Sequence, residues 1–521
     1  MHAISETQVK MRIFRIFLLI IYTAFSFTAL LFGEEYSAPK REFRGAWVAT
    51  VANIDWPTAE AVGNAGLQRQ EMLQILDDAA RLKLNAIVFQ VRPTADALYK
   101  SELEPWSIWL TGKQGQDNDT TYDPLEFVIT EAHKRCIDVH VWLNPYRVTH
   151  SFKADELADT HIFKQHPEWF LKYGDKWYFD PALDETREWL NKVVADIVKR
   201  YDIDAIHFDD YFYPYRIPKK DFPDGKSFAA HPRGFTDKEA WRRNNVNMVI
   251  EELHNTIHGI KPWVEFGISP FGVWRNMADD STRGSATQAG CRNYDDLYAD
   301  ILLWLENGWI DYVVPQLYWE IGKKVADYEV LAHWWSQYTY GKNLYIGLYT
   351  SQLGNRRANE AWRRPNELCR QLRLNNTIDN IDGAVHFSIA ALLRDTIERA
   401  LQDNRLGIAD SLSSTFYRYP ALPPTNRNIQ GPVAVGVDSL TIKSHTISWQ
   451  DAACAADNPN CYYVVYAFPI GEKADFDNPK FIAAITADKH YEIDEPDKYS
   501  VICVTAINHY KQESMPCILK N

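Results

Sequence analysis

Cysteine is scarce in this chain, and the seven that occur are scattered without the spacing of a metal-ligand set. Two pairs, Cys454 with Cys461 and Cys503 with Cys517, leave disulfides open in an oxidising compartment. Positive charge is also in short supply: lysine and arginine number 56 against 69 aspartates and glutamates, a formal net charge of -13. With no basic footprint, no nucleic-acid partner is expected, and a neutral or weakly charged substrate is easier to accommodate. What the chain has in excess is aromatic surface. Its 18 Trp and 28 Tyr exceed the needs of a core of this size, and both side chains offer flat faces with a polar handle of the kind that sugar rings pack against. Most of them are nevertheless expected in the core.

At 521 residues the chain is too long for one ordinary core and suits a large barrel plus a smaller module. Lys10, Arg12 and Arg15 precede an apolar run from Ile16 to Phe32, which ends at Glu34 and Glu35. This is a signal-peptide pattern over residues 1–33, with an uncleaved membrane tether as the alternative, followed by a linker over 34–41. No cysteine follows the run to suggest a lipoprotein. Export to the periplasm, the envelope or the medium is expected.

From Glu42 to about Asp395, short β-rich runs alternate with longer amphipathic stretches, as βα units do. The strands read as Phe43–Asn53, Ala86–Arg92, Asp138–Arg147, Ala205–Phe212, Glu265–Trp274, Asp311–Glu320, Leu344–Tyr349 and Ala384–Ser388. Helices are expected between them at Glu71–Leu84, Arg187–Tyr201, Ala240–Ile260 and Asp295–Asn307. The fold class is therefore α/β, a closed (β/α)₈ barrel over residues 42–420 with its function at the C-terminal strand ends. Pro423-Pro424 and Gly431-Pro432 mark a linker over 421–432. Beyond it, over 433–521, short alternating runs without helical stretches predict a small immunoglobulin-like β-sandwich. Its pieces "TISWQD", "YYVVYAF" and "YSVICVTAIN" resemble a fibronectin type III module, a spacer or binding appendage with no catalytic part.

Strand side chains alternate between faces, so an apolar set marks the helix side and leaves the other set facing the barrel axis. This phase turns Gln90 and Arg92 inward on the second strand, Trp142, Asn144 and Tyr146 on the third, and His207, Asp209 and Tyr211 on the fourth. It leaves Glu265, Gly267 and Ser269 on the fifth, Gln316, Tyr318 and Glu320 on the sixth, and His386 and Ser388 on the eighth. Burying so many polar groups costs a few kcal/mol each unless they are hydrogen-bonded, so their convergence predicts an active site at this rim.

Hydrolysis of a glycosidic bond needs two carboxyl groups, one ionised and one held protonated. Asp209 and Glu320 are the expected pair. Arg92 is placed to keep one ionised, and Trp319 to raise the pKa of the other. Each carboxyl has a structural alternative: a strand-end salt bridge from Asp209 to Arg147 or Arg92, and a solvated rim position for Glu320. Asp210 is either the acid or a loop cap, and Asp55, in "NIDWP", a third rim carboxylate or a cap. Asn144, His207, Gln316 and His386 suit sugar hydroxyls; Trp56, Tyr146, Tyr211, Trp274 and Trp319 are candidate stacking platforms. Arg147, Arg275 and Tyr318 complete the candidate substrate-binding set. A metal held by His207, His386 and Asp209 is disfavoured, because no Cys-x-x-Cys or His-x-x-x-His pair accompanies them. No cofactor is expected.

The stretches "RGAWVATVANIDWP", "NAIVFQVRPTADALY", "VWLNPYRV", "AIHFDDYFYP", "FGISPFGVWRN" and "DYVVPQLYWE" closely resemble the glycosyl hydrolase-like family 10 barrels of bacteria, over about residues 42 to 395. The resemblance implies hydrolysis of a polysaccharide, with bacterial cell-wall glycan as one substrate class. A noncatalytic glycan-binding barrel and a hydrolase of another polysaccharide are the alternatives. "DAIHFD", ending at Asp209, also looks like the strand of α-amylase-type barrels whose terminal Asp is the nucleophile. The family 18 chitinase pattern ends in Asp-x-Glu, and Tyr211 stands where that Glu would be, so substrate-assisted chemistry would need Asp210 to replace the acid.

Overall fold

Eight short runs, each too apolar to leave either face in water, solve their burial by closing on one another. The computed structural model describes residues 36–117, 119–355, 357–363, 366–393, 407–452 and 458–519; the expected leader over 1–33 and Cys454 lie outside them. Strands β1 (Phe43–Val48), β2 (Ala86–Arg92), β3 (Asp138–Leu143), β4 (Ala205–Phe208), β5 (Glu265–Ile268), β6 (Tyr312–Val313), β7 (Asn343–Leu348) and β8 (Gly383–His386) form a closed parallel barrel. Helices α1 (Ala65–Arg81), α2 (Pro124–His133), α3 (Asp184–Arg200), α4 (Lys238–Ile260), α5 (Ile301–Glu306), α6 (Tyr328–Gln337) and α7 (Glu367–Thr377) cover it. Their starts carry the expected caps: Asn64 accepts from Leu67 N, Asp123 from Leu125 N, and Asp237 from Glu239 N.

Six of the eight strands are shorter than the sequence reading, whereas β2 matches it at both ends and β7 has the expected length shifted by one residue. The helix expected over Asp295–Asn307 is broken into Asn293–Asp296 and α5, because Tyr298 between them sits at φ 56°. Its hydroxyl is held there by Arg242 Nη1 at 2.8 Å and Arg216 Nη2 at 3.0 Å.

The barrel interior is aromatic at its base. Phe43 and Tyr345 stack at 4.0 Å between centroids, with Tyr312 beside them. Gly267 makes this possible: a Cβ there would lie 1.9 Å from the Tyr312 ring. Tyr312 Oη lies between His140 Nδ1 at 2.7 Å and His207 Nδ1 at 3.0 Å, and His207 Nε2 pairs with Ser269 Oγ at 2.9 Å. Burial holds both imidazoles well below the usual histidine range, so they are neutral hydrogen-bonding groups inside the barrel.

Residues 433–519 form two facing sheets. One holds β9 (Val437–Lys443), β10 (Thr446–Asp451) and β13 (His490–Glu492); the other runs β12 (Ile482–Thr486), β11 (Asn460–Pro469), β14 (Tyr499–Asn508) and β15 (Cys517–Ile518). Ile447 and Trp449 pack between them on Tyr463, Val465, Ile502 and Val504. Cys503 pairs in register with Ile518 and faces the barrel side, whereas Cys517 stands opposite Val504 and packs on the sandwich core. The two thiols are on opposite faces of one sheet, so the Cys503–Cys517 disulfide left open above does not form here.

The sandwich is seated against the N-terminal end of the barrel rather than held on a free tether. Asn426 Nδ2 donates to Glu265 Oε1 at 2.8 Å, and Asn428 Nδ2 to Asp311 Oδ1 at 2.8 Å, so the segment expected as a linker runs along the barrel base. From the hairpin turn after β14, Lys511 Nζ donates to Asp138 Oδ1 at 2.7 Å and Asp204 Oδ1 at 2.9 Å, with only 9% of its side chain exposed.

Candidate active site

β4 ends at Phe208, and the chain turns away from the barrel immediately afterwards, which places two consecutive carboxyls at the rim. Asp209 keeps the inward phase and lines a cavity of about 350 Å³ at the C-terminal strand ends. Its Oδ1 accepts from Gln316 Nε2 at 3.0 Å and from the Asp210 amide at 2.8 Å. Asp210 sits behind it, buried, and accepts from the Tyr215 hydroxyl. The two carboxyls are close enough for each to act on the other's charge.

Neither carboxyl titrates in the ordinary range. Burial raises Asp209, against its hydrogen bonds from Asp210 and the charge of Arg147. Burial and the adjacent Asp209 charge push Asp210 well above it. Two carboxyls this close cannot both ionise cheaply, so the pair retains a proton. A pair of this kind can give one proton to a leaving group and take one back.

The cavity walls are aromatic. Trp47, Trp142, Tyr211, Tyr318, Tyr349 and Phe387 line it, with Ile54 51% exposed at the mouth. Tyr318 stacks on Tyr349 at 4.8 Å, and the Arg147 guanidinium lies 5.1 Å over Tyr211. Gln90 is fully buried and accepts from the Thr50 and Val51 amides at 3.0 and 2.9 Å through Oε1, while its Nε2 has no partner among the described residues. His150, also at the wall, is lowered to about 4 by burial and the charges of Arg147 and Lys176.

Of the residues singled out from sequence, Asp209, Gln90, Trp142, Arg147, Tyr211, Ser269, Gln316 and Tyr318 meet at this cavity. Others do not, each for a visible reason. Glu320 binds elsewhere: its Oε1 accepts from Asn359 Nδ2 at 2.6 Å and its Oε2 from Trp362 Nε1 at 3.1 Å. Partial burial opposes it, but the Asn359 hydrogen bond, the residue's own backbone amide and Lys323 hold the carboxyl below its usual range, which corrects its expected role as a protonated acid. Arg92 does not serve a catalytic carboxylate. A register irregularity at Val91 turns it to the outward face opposite Leu143, where Nη2 and Nε form a buried bidentate pair with Glu104 at 2.6 and 2.7 Å.

His386 is likewise outward, between the Thr350 hydroxyl at 2.8 Å and Tyr417 Oη at 3.0 Å, and burial lowers it to about 4. Ser388 and Ala49 N donate to Asp55, which ties the β1 and β8 ends together rather than facing the cavity. Trp56 is buried against Phe89 and donates to Gln68 O, so it offers no platform. Trp274 is buried beside Trp334, Arg275 is paired with Asp295, Trp319 packs edge-on to Phe271, and Tyr146 is buried away from the cavity. Asn144 accepts from Trp142 Nε1 and steadies that ring, and His207 lies below the cavity in the Tyr312 chain.

Trp47, Tyr349, Phe387 and His150 escaped the sequence reading. On β8 the inward residues are Val385 and Phe387, so the rule that apolar side chains mark the helix side inverts where the interior is itself aromatic. A His-x-x-x-His pair, His254 and His258 on α4, was also passed over; it lies at the other end of the barrel, where His258 Nε2 pairs with Asp311 Oδ2 at 3.1 Å. Among the described residues no His, Cys, Asp and Glu cluster has the makings of a metal site.

A closed parallel barrel with a carboxyl-bearing cavity at its C-terminal strand ends is the arrangement of (β/α)₈ enzymes. The chain belongs to the glycosyl hydrolase-like 10 family, whose model matches residues 42–390. It is 45% identical over 388 residues to "Glycosyl hydrolase YngK" of Bacillus subtilis (strain 168), covering 74% of this chain and 73% of that one. It is 39% identical over 365 residues to "Glycosyl hydrolase DigH" of Escherichia coli (strain K12), covering 66% and 82%. Among solved structures, the PgaB (BpsB) glycoside hydrolase domain from Bordetella bronchiseptica aligns over 72% of this chain and 99% of that one at 11% identity, with a TM-score of 0.46.

Proposed function

We propose that the chain hydrolyses O-glycosidic bonds in a polysaccharide of the bacterial cell-wall type. Asp209 exchanges the proton with the glycosidic oxygen, and Asp210 holds that proton in reserve. The observation that carries this reading is the buried Asp209–Asp210 pair, joined through the Asp210 amide, one member of which lines an aromatic cavity at the catalytic end of the barrel. Trp47, Trp142, Tyr211 and Tyr318 supply stacking faces, and Gln90 and Arg147 supply donors for ring substituents. The basic and apolar pattern of residues 10–32 supports export to the envelope, either as a cleaved leader or as a tether. The three-plus-four strand arrangement supports a fibronectin type III-like module after the barrel.

The test is release of reducing ends from purified cell-wall glycan strands stripped of their peptides. Asp209→Asn is expected to lose about 10²-fold or more of the rate while keeping the strands bound. Undiminished cleavage by that variant overturns the assignment.

A further inference from the structure

Two carboxyls that flank a scissile bond stand roughly 5–5.5 Å apart in retaining hydrolases and ~6.5–9.5 Å apart in inverting ones. Here Asp209 and Asp210 are consecutive residues, with the Asp210 amide donating to Asp209 Oδ1 at 2.8 Å, so they stand on one side of the bond. Among the described residues, no second carboxyl lines the cavity with Asp209; Glu320 is bound to Asn359 and Trp362, and Asp55 to Ser388 and the β1 end. One role of the usual pair is therefore left to another group.

The cavity wall indicates which group. Gln90 Oε1 is committed to the Thr50 and Val51 amides, so its orientation is fixed and Nε2 is presented without an acceptor. A buried donor without a partner is costly, and a ligand oxygen relieves that cost. Beside Gln90 the wall is apolar: Trp142 is its register partner on β3, Val51 donates to its Oε1, and Trp47 and Ala49 line the same cavity. A carbonyl oxygen beside a methyl group, on a sugar ring, is the chemistry that matches: a 2-acetamido substituent.

Resting on the hydrolase reading above, we infer that the substrate's own 2-acetamido group is the nucleophile, held by Gln90 and its apolar wall, with Asp209 as the one catalytic carboxyl and Asp210 as its positioning residue. In the first step the proton shared by the pair passes through Asp209 to the glycosidic oxygen. The acetamido carbonyl oxygen bonds to C1 as the C1–O bond to the leaving group breaks, and the leaving group departs as an alcohol. The pair is then doubly negative beside a cationic oxazolinium ring, with Arg147, Gln316 and the Tyr215 hydroxyl around it. In the second step Asp209 takes a proton from water, whose oxygen bonds to C1 as the oxazolinium C1–O bond breaks. The acetamido group and the shared proton are restored, and the anomeric configuration is retained.

The experiment uses the full chain and one batch of peptide-stripped cell-wall strands, de-N-acetylated and then re-N-acylated with acetyl, fluoroacetyl, difluoroacetyl or trifluoroacetyl groups. Each fluorine makes the carbonyl oxygen a poorer nucleophile. The expected result is a stepwise fall in kcat of roughly a hundredfold or more across the series, as loss of an intramolecular nucleophile requires. Gln90→Glu keeps both accepted backbone bonds and loses the donor; it should weaken cleavage of acetylated strands by about tenfold, the cost of one ligand hydrogen bond. A kcat that stays flat across the series overturns the inference and assigns the nucleophile to the protein. Failure to cleave even the acetylated strands overturns the hydrolase reading itself, a distinguishable outcome.

Discussion

Lys511 offers the sharpest physical test of how the two halves of the chain depend on each other. Its ammonium enters the barrel base and bonds Asp138 at 2.7 Å and Asp204 at 2.9 Å, where the three side chains are 9% exposed or less. Lys511→Met keeps the alkyl length and removes the charge, leaving two carboxyls facing each other out of water. Removing one partner of a buried ion pair costs about 3–5 kcal/mol. The pH dependence gives the sign. Burial and the Asp204 charge already raise Asp138 to about 7; despite its own burial, Asp204 is held well below the usual range by Lys511 and His133. Without the lysine both carboxyls are raised. A carboxyl raised in the folded state contributes stability below its unfolded pKa and loses it as pH rises through the folded value. The deficit of the variant is therefore largest at about pH 8 and shrinks toward about pH 5, by up to ~1.4 kcal/mol per pH unit for each titrating carboxyl. Urea unfolding of the full chain, followed by tryptophan fluorescence at both pH values, measures it. A deficit under about 1 kcal/mol at the higher pH, the worth of a surface pair, or one that grows on acidification, refutes the reasoning.

Two further predictions concern the rim. Glu320→Gln should retain cleavage of cell-wall strands within about threefold, because its carboxylate serves Asn359 and Trp362 outside the cavity; a loss as large as that of Asp209→Asn would restore it as the acid. The rate should fall on the alkaline side as the raised Asp209–Asp210 pair gives up its proton, at a pH above the ordinary carboxylate range. The Tyr215 hydroxyl lowers Asp210, so Tyr215→Phe should move that limb to higher pH, and a shift the other way would show that Asp210 does not govern it.

The barrel was legible because its signal is repeated: eight apolar runs separated by amphipathic helices leave few topologies open. The site was legible where the inward phase of a strand carries on past its last paired residue. Beyond β4 and β6 it does, and Asp209, Gln316 and Tyr318 arrive where the phase puts them. On β2 the irregularity at Val91 flips Arg92 to the helix side, and nothing in "FQVRP" announces it. On β8 both faces are apolar or aromatic, so the wrong face was read as interior, and Phe387 was lost in favour of His386. Asp210 falls on the outward phase, and its partnership with Asp209 follows from the turn after Phe208. The docking of the sandwich was beyond reach for a different reason. Lys511 meets Asp138 and Asp204 across more than 300 residues of sequence, 373 and 307, and a lone surface-looking lysine carries no local mark of its partner.

The two ends of the barrel set the same problem, paired buried carboxyls, and solve it in opposite ways. At the base, a lysine from another part of the chain neutralises Asp138 and Asp204. At the rim, Asp209 and Asp210 have each other, Gln316 and Tyr215, with Arg147 acting on Asp209 without an ion pair between them. An uncompensated pair is a poor way to stabilise a fold and a good way to keep a proton available. Asp209→Asn should therefore raise stability while it abolishes turnover, by about 1–2 kcal/mol, the usual gain when a functional strain is removed. Both carboxyls are raised in the folded state, so the wild-type chain loses their contribution as pH rises through those values, and the gain of the variant should widen from about pH 5 to about pH 8. Unfolding midpoints of the two proteins at those pH values decide it. A variant less stable than its parent at the higher pH would mean that Asp209 is a structural strand-end residue, and the proton-holding role assigned to the pair would fall with it.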